Sequence, residues 1–167
     1  MGGSVVDDPE LSTHLVSDSI KRTAKTLMCI SCCKHIVTSR WLLDSQKVGH
    51  FINEEAYIVK DVEAEREWKF NLKESLRLAD NQLFTGFRFF VLEGSVPPKE
   101  FLANLIRVNN GTLLTRSPTK FTSDIIVLAG EKDKRSISVY QENGAIIHSG
   151  DFVLLSILQQ KMPPSQC

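Results

Sequence analysis

The chain has 167 residues, 42% hydrophobic and 24% charged, enough for one large packed domain or two small ones and too apolar for a disordered polymer. Its 20 Lys and Arg balance its 20 Asp and Glu, so net charge gives no general attraction to nucleic acid or to an anionic membrane, and any anion site must be local. No apolar run approaches the roughly 18 to 20 residues that span a bilayer and no charged-then-apolar leader opens the sequence, so a soluble intracellular protein without a membrane partner is expected.

Taken in chain order, Ser4 to Val6 and Thr13 to Val16 read as short strands. A helix is expected from about Ile20 to Ser31, because Ala24, Leu27, Met28 and Ile30 fall on one arc at helical spacing while Lys21, Arg22 and Lys25 fall opposite. Ser17, Asp18 and Ser19 are candidate N-caps, which puts Arg22 to Lys25 in the first turns, where the helix dipole and unpaired N–H groups favour an anion. A Lys25 ammonium and a Thr23 hydroxyl there could hold a phosphate through charge-assisted bonds of about 1.5 to 3 kcal/mol each. Arg22 adds a planar fork for a carboxylate or a carbonyl. Basic helix faces are also common as plain solvated surface, and the residues alone leave both readings open.

The next segment contains Cys29, Cys32 and Cys33, with Cys167 at the far end. The C-x2-C pair has no second Cys or His pair at a metal-ligand spacing, and His35 stands in an apolar strand pattern, so reduced thiols and no metal are expected. His35 to Val37 reads as a strand and Arg40 to Lys47 as a helix whose Trp41 is a core aromatic. Residues 51–81 carry Tyr57, Trp68, Phe70 and Leu72, too apolar for a flexible tether, with a short helix near Leu72 to Ala79. Beyond them come a strand at Leu83 to Leu92, a helix at Pro98 to Val108 closed by Asn109-Asn110-Gly111, and strands at Thr112 to Thr115 and Ile125 to Ala129. A weak helix or turn at Glu131 to Gln141, a strand at Ala145 to His148 and a helix at Asp151 to Gln160 complete the order.

The two halves repeat. An offset of 111 places Thr13 to Val16 on Asp124 to Val127, Ile36 on Ile147, Trp41 on Phe152, Leu43 on Leu154 and Ser45 on Ser156, while an offset of 108 matches GGSVV to NGTLL. The second copy reads β-α-β-β-α-β-α over roughly 75 to 80 residues, which predicts a mainly parallel sheet with helices on both faces. In that copy about 26 residues precede the segment matching Gly2, so the first copy is expected to lack an opening strand and helix, and the chain to be a fragment or the product of an internal start.

GGSVV, THLVSD, RTAK and KHIVTSRWLLDS, followed by NGTLL, DIIVLAG and GAIIHSGDFVLLS, resemble tandem breast-cancer-C-terminal (BRCT) repeats from Gly2 to about Gln160. The resemblance implies an α/β fold of two BRCT repeats, each a small, mainly parallel four-stranded sheet flanked by helices, the first without its opening strand and helix. The expected boundaries are 1–50 for repeat 1, 51–81 for the linker and 82–162 for repeat 2.

It also implies a non-catalytic scaffold of the DNA damage response and DNA repair, nuclear, that docks on phosphoserine- or phosphothreonine-containing proteins such as a phosphorylated histone tail. In such pairs the phosphate lies between a Ser/Thr-Gly pair, which belongs to the absent opening segment, and a Thr-x-Lys. Thr23-Ala24-Lys25 matches the latter, and Arg22 matches the arginine that meets the peptide near its +3 residue or its C-terminal carboxylate. Leu27, Pro97 and Pro98 match the +3 pocket.

Asp133-Lys134-Arg135-Ser136 stands opposite Arg22 to Lys25, so the second repeat lacks the phosphate pattern. With half of the pocket absent, this chain alone is expected to bind phosphopeptide weakly or not at all. The alternative is a phosphate-independent interaction or dimerisation module. Direct DNA binding is secondary at zero net charge. No cofactor and no enzyme are expected, since there is no G-x-G-x-x-G, no Walker loop and no nucleophile with an identifiable base.

Overall fold

The computed structural model describes residues 1–162, so Cys167 lies outside the described residues. The first unit is built from β1 (His14–Val16), α1 (Ala24–Cys32), β2 (His35–Val37) and α2 (Ser39–Val48). β1 and β2 pair in parallel with His14 opposite His35 and Val16 opposite Val37. The far side of β2 is covered by the following loop: Val37 bridges Ile58 in antiparallel sense, and Val59 N–H donates to the Ile36 carbonyl at 3.1 Å.

Two expectations for this unit are corrected. Ser4 to Val6 forms no strand, because no strand among the described residues lies beside it to complete a ladder, and Val5 is 100% exposed. Instead a 3-10 turn at Pro9–Leu11 packs on α1, with Glu10 paired to Arg107. Helix α1 starts at Ala24 and not at Ile20, and none of Ser17, Asp18 and Ser19 caps it. Thr23 is the cap, its hydroxyl accepting from Thr26 N–H at 3.3 Å. The preceding loop is held by other partners: Asp18 accepts from Ser39 N–H at 2.9 Å at the start of α2, and Ile20 N–H donates to Asp61 Oδ2 at 2.9 Å.

The connecting segment is ordered and helical, with α3 (Val62–Glu67) and α4 (Leu72–Leu78). The pattern indicated only the second, since Val62–Glu67 is acidic and buries just Ala64. Asp61 caps α3, Phe70 and Leu72 enter the core, and Gln159 Nε2 donates to the Trp68 carbonyl at 3.1 Å, tying the connector to the last helix.

The second unit contains β3 (Arg88–Val91), α5 (Lys99–Val108), β4 (Thr112–Leu113), β5 (Ile125–Leu128), α6 (Lys134–Glu142), β6 (Ile146–His148) and α7 (Asp151–Gln159). Its sheet is parallel throughout, in the order β4-β3-β5-β6. β3 starts later than its apolar run suggested, because residues from Phe84 turn first: Phe87 N–H donates to the Phe84 carbonyl, and Gly86 takes φ +84°.

The duplication is visible in the backbone, where adding 111 to the bounds of β2 gives those of β6. The sheets differ in size: among the described residues the first has two strands, where a four-stranded repeat less its opening strand would have three, and the second has four. β5 lies between β3 and β6, whereas its counterpart β1 has only β2 beside it among the described residues.

The two units share one core. Leu27, Cys29 and Ile30 of α1 pack with Leu102, Leu105 and Ile106 of α5 and with Val153, Ile157 and Leu158 of α7, all essentially without exposed surface. Burying each large aliphatic side chain stabilises the fold by about 1.5–3 kcal/mol, so the seam between the units is a main source of stability.

Aromatic plugs close both sheets at repeat-related positions. Trp41 is 3% exposed and donates to the Ile52 carbonyl at 2.8 Å, and Phe152 stacks on His148 at 4.1 Å. Burial there pushes the His148 imidazole below its ordinary value of 6.5. The unfolded chain then takes up a proton that the folded one resists, so this contribution to stability is present above pH 6.5 and is lost as pH falls through the depressed folded value. Urea midpoints measured across this range are expected to drop toward acid in the parent and to drop less in His148→Gln.

Candidate functional site

The first turn of α1 carries the anion-facing groups. Thr23 is exposed, and its hydroxyl lies 2.9 Å from the hydroxyl of Thr26. Lys25 is exposed and makes no ion pair or hydrogen bond among the described residues, and the turn contains no acidic residue. The N–H groups of Ala24 and Lys25 come before Leu27, the first to donate within the helix (to the Thr23 carbonyl), so an ammonium, a hydroxyl and two amides without helical partners are grouped at one helix end. Asp61 and Asp18 position this turn from either side of its loop.

Arg22 points to a different neighbour. Its guanidinium pairs with Asp151, the first residue of α7, and lies 5.6 Å from the Trp68 ring centroid, while Nε is buried with no hydrogen-bond partner. One arginine therefore joins the starts of α1 and α7 and the connector. Pro97 reaches the same corner, since a Cβ on Gly150, the residue before Asp151, would sit 2.9 Å from Pro97 Cδ. Pro98 is exposed as the N-cap residue of α5. Leu27 is 0% exposed, inside the shared core beneath this corner, and presents no surface for a side chain to touch.

The corresponding place in the second unit is filled from within. Asp133 aligns with Arg22, and its carboxylate accepts from Gly94 N–H at 3.0 Å and from Gly130 N–H at 2.9 Å, between the turn after β3 and the start of α6. A Cβ on Gly94 would meet Asp133 Oδ2 at 2.6 Å. An internal anion thus satisfies the amides that an external one would need. Asp133→Ala leaves both without an acceptor and is expected to lower stability by about 1–3 kcal/mol in urea unfolding.

The thiols belong to the core. Cys29 and Cys33 are buried, and burial holds the half-buried Cys32 up at about 11. Sequence reasoning missed a second cluster, His14, His35 and Glu54, whose ligand atoms lie within 4.8 Å of one another. The register of β1 against β2 could have paired the histidines, but no local signal brought Glu54 to them. No helix among the described residues is long and apolar enough to cross a membrane.

Two copies of a parallel α/β unit, joined through one helical seam and carrying a Thr-x-Lys helix start in the first copy alone, define a tandem-repeat protein with unequal repeats. Residues 82–166 match the family model described as BRCT domain, and residues 1–59 match that of the Regulator of Ty1 transposition protein 107 BRCT domain. The chain belongs to the BRCT family. It is 32% identical to PAX-interacting protein 1 of Bos taurus over 97% of this chain and 18% of that protein. It is 30% identical to Mediator of DNA damage checkpoint protein 1 of Homo sapiens over 98% of this chain and 8% of that protein. The chain thus spans less than a fifth of these curated relatives.

Among solved structures, the BRCT5-BRCT6 domains of Brc1 from S. pombe superpose with a TM-score of 0.73 at 19% identity, over 95% of this chain and 82% of that one. The complex of Rtt107p with a phosphorylated histone gives 0.64 at 12% identity, over 92% of this chain and 73% of that one.

Proposed function

We propose that this chain is a phosphopeptide-docking BRCT pair of a nuclear, non-catalytic scaffold in the DNA damage response. Its partners are phosphoserine- or phosphothreonine-containing proteins, a phosphorylated histone tail among them. The observation that carries the reading is the exposed Lys25, unpaired among the described residues, two positions from the Thr23 cap and the open amides at the start of α1, in the unit that has Arg22 where the other has the Asp133 carboxylate. Two relatives support the class: the checkpoint mediator by its name, and Rtt107p by its complex with a phosphorylated histone.

Lys25 and Thr23 hold the phosphate, and Arg22 receives a carboxylate or carbonyl further along the peptide. Arg22 already holds Asp151, so the peptide must share or displace that contact. Pro97 borders the place where the +3 side chain lies, and Leu27 supports it from beneath. Since the described residues offer only the helix-side donors, the 167-residue chain is expected to bind more weakly than low-micromolar.

Fluorescence anisotropy with a phosphoserine peptide ending in a free carboxylate, and with its unphosphorylated twin, tests this. Lys25→Met should weaken phosphopeptide binding by about tenfold or more, the equivalent of one charge-assisted bond, and Asp151→Asn should strengthen it. Equal binding of the two peptides would count against the reading.

A second reading rests on the open edge of β1. Its counterpart β5 has strands on both sides, so β1 can accept a strand from another chain independently of phosphate. Light scattering that shows mass rising with concentration would favour it.

A further inference from the structure

The cluster of His14, His35 and Glu54 lies at the N-terminal end of β1 and β2, whereas Thr23 and Lys25 follow the C-terminal end of β1. Parallel register places the two histidines side by side, with ring centroids 4.8 Å apart. His14 is fixed on its other face by Trp41, also at 4.8 Å and within 7° of coplanar, and Trp41 stacks in turn on Phe51. Glu54 is delivered by the loop after α2, which is closed by Tyr57 N–H donating to the Glu54 carbonyl at 2.8 Å. Trp41, backed by Phe51, therefore holds the His14 imidazole on one face before any ligand arrives.

We propose that His14, His35 and Glu54 form a binding site for a divalent transition-metal ion of the zinc class. Their ligand atoms all lie within 4.8 Å of one another, and His14 Nε2 is 3.2 Å from Glu54 Oε1. Two ligands on one tetrahedral zinc, each at about 2.0–2.1 Å, stand about 3.3 Å apart, so this pair is already at ligand spacing. Rotation of the His35 side chain closes the rest.

A second partner fixes the tautomer. With the ion on Nε2 in place of the proton shared with Glu54, the remaining ring proton lies on Nδ1, 2.8 Å from Thr13 Oγ1, which accepts it. Glu54 supplies a carboxylate oxygen, already 3.2 Å from His14 Nε2, and with it the negative charge of the ligand set. Two imidazoles and one carboxylate suit zinc, nickel and copper and not magnesium or calcium, and they leave a fourth position to water. The side chains of His14 and Glu54 are 25% and 24% exposed, so the ion has an entry path. Bound there, it would clamp the Glu54 loop to the ends of both strands.

Calorimetric titration of the full 167-residue chain with zinc chloride tests the site, read in parallel by fluorescence in a Trp68→Phe background, where Trp41 is the only indole. Saturable binding of one ion per chain is expected, with a change in Trp41 emission because its ring lies on a ligand. Glu54→Gln and His35→Gln should each weaken binding by about tenfold or more. Circular dichroism of both variants checks that they fold, and Glu54→Gln keeps the shape of the side chain. Cobalt substitution separates this site from the cysteines: nitrogen and oxygen ligation gives visible bands without the near-ultraviolet thiolate charge-transfer absorption. The proposal is overturned by the absence of saturable binding, by affinity unchanged in both variants, or by thiolate bands.

Discussion

Leu27→Ala lowers the unfolding free energy by about 2–5 kcal/mol, the range for deleting a buried leucine from a core that cannot collapse around the gap. The side chain is fully buried, two residues from an exposed lysine, on the helix that packs against both α5 and α7. The cavity therefore opens at the seam and affects both units. Because the core is continuous across them, urea unfolding should stay a single transition shifted to lower denaturant. Two separated transitions would mean that the units are stabilised independently. Lys25→Met, on the solvent face of the same turn, should leave the unfolding free energy within about 0.5 kcal/mol of the parent.

Trp41→Ala is the second large loss, about 3–5 kcal/mol. The indole is the second ring in the column from Phe51 through His14 to His35, and its N–H satisfies the Ile52 carbonyl. Removing it leaves a void under α2, an unpaired carbonyl, and a His14 ring held on one face only. Trp41→Phe should cost distinctly less, because the repeat-related residue, Phe152, fills its own unit with a phenyl ring. Urea unfolding followed by circular dichroism measures both variants, and equal losses would show that the ring column carries no stability beyond the indole hydrogen bond.

Much of the second unit was legible from alternation and spacing. Lys99–Val108, Ile125–Leu128, Ile146–His148 and Asp151–Gln159 lie within a residue or two of their apolar patterns, because the two helices and Ile125–Leu128 bury residues in the shared core and Ile146–His148 pairs along Ile126–Leu128. The offset of 111 found the repeat through strand and helix positions of like residue type, of which Trp41 and Phe152, and Ser45 and Ser156, are buried in both units, whereas Leu43 is exposed where Leu154 is buried.

What the sequence misplaced depended on long-range partners. Ser4 to Val6 looks like a strand but has no strand beside it among the described residues. The start of α1 slipped to Ala24 because Asp18 serves α2, and Asp61, 41 positions from Ile20, holds the loop. Arg22 was legible as a carboxylate fork, yet the carboxylate it meets in the fold is Asp151, 129 positions away. The self-filled corner at Asp133 and the meeting of Glu54 with two histidines are tertiary facts of the same kind.

The central claim is that the start of α1 receives a phosphate, and amide NMR of the 15N-labelled chain tests it most directly even when binding is weak. Titration with the phosphoserine peptide should shift the amides of Thr23 to Leu27 progressively, with the unphosphorylated twin silent there and Lys25→Met abolishing the response. Shifts of the same size from both peptides, or phosphate-dependent shifts at the start of α6 and none at α1, would contradict it.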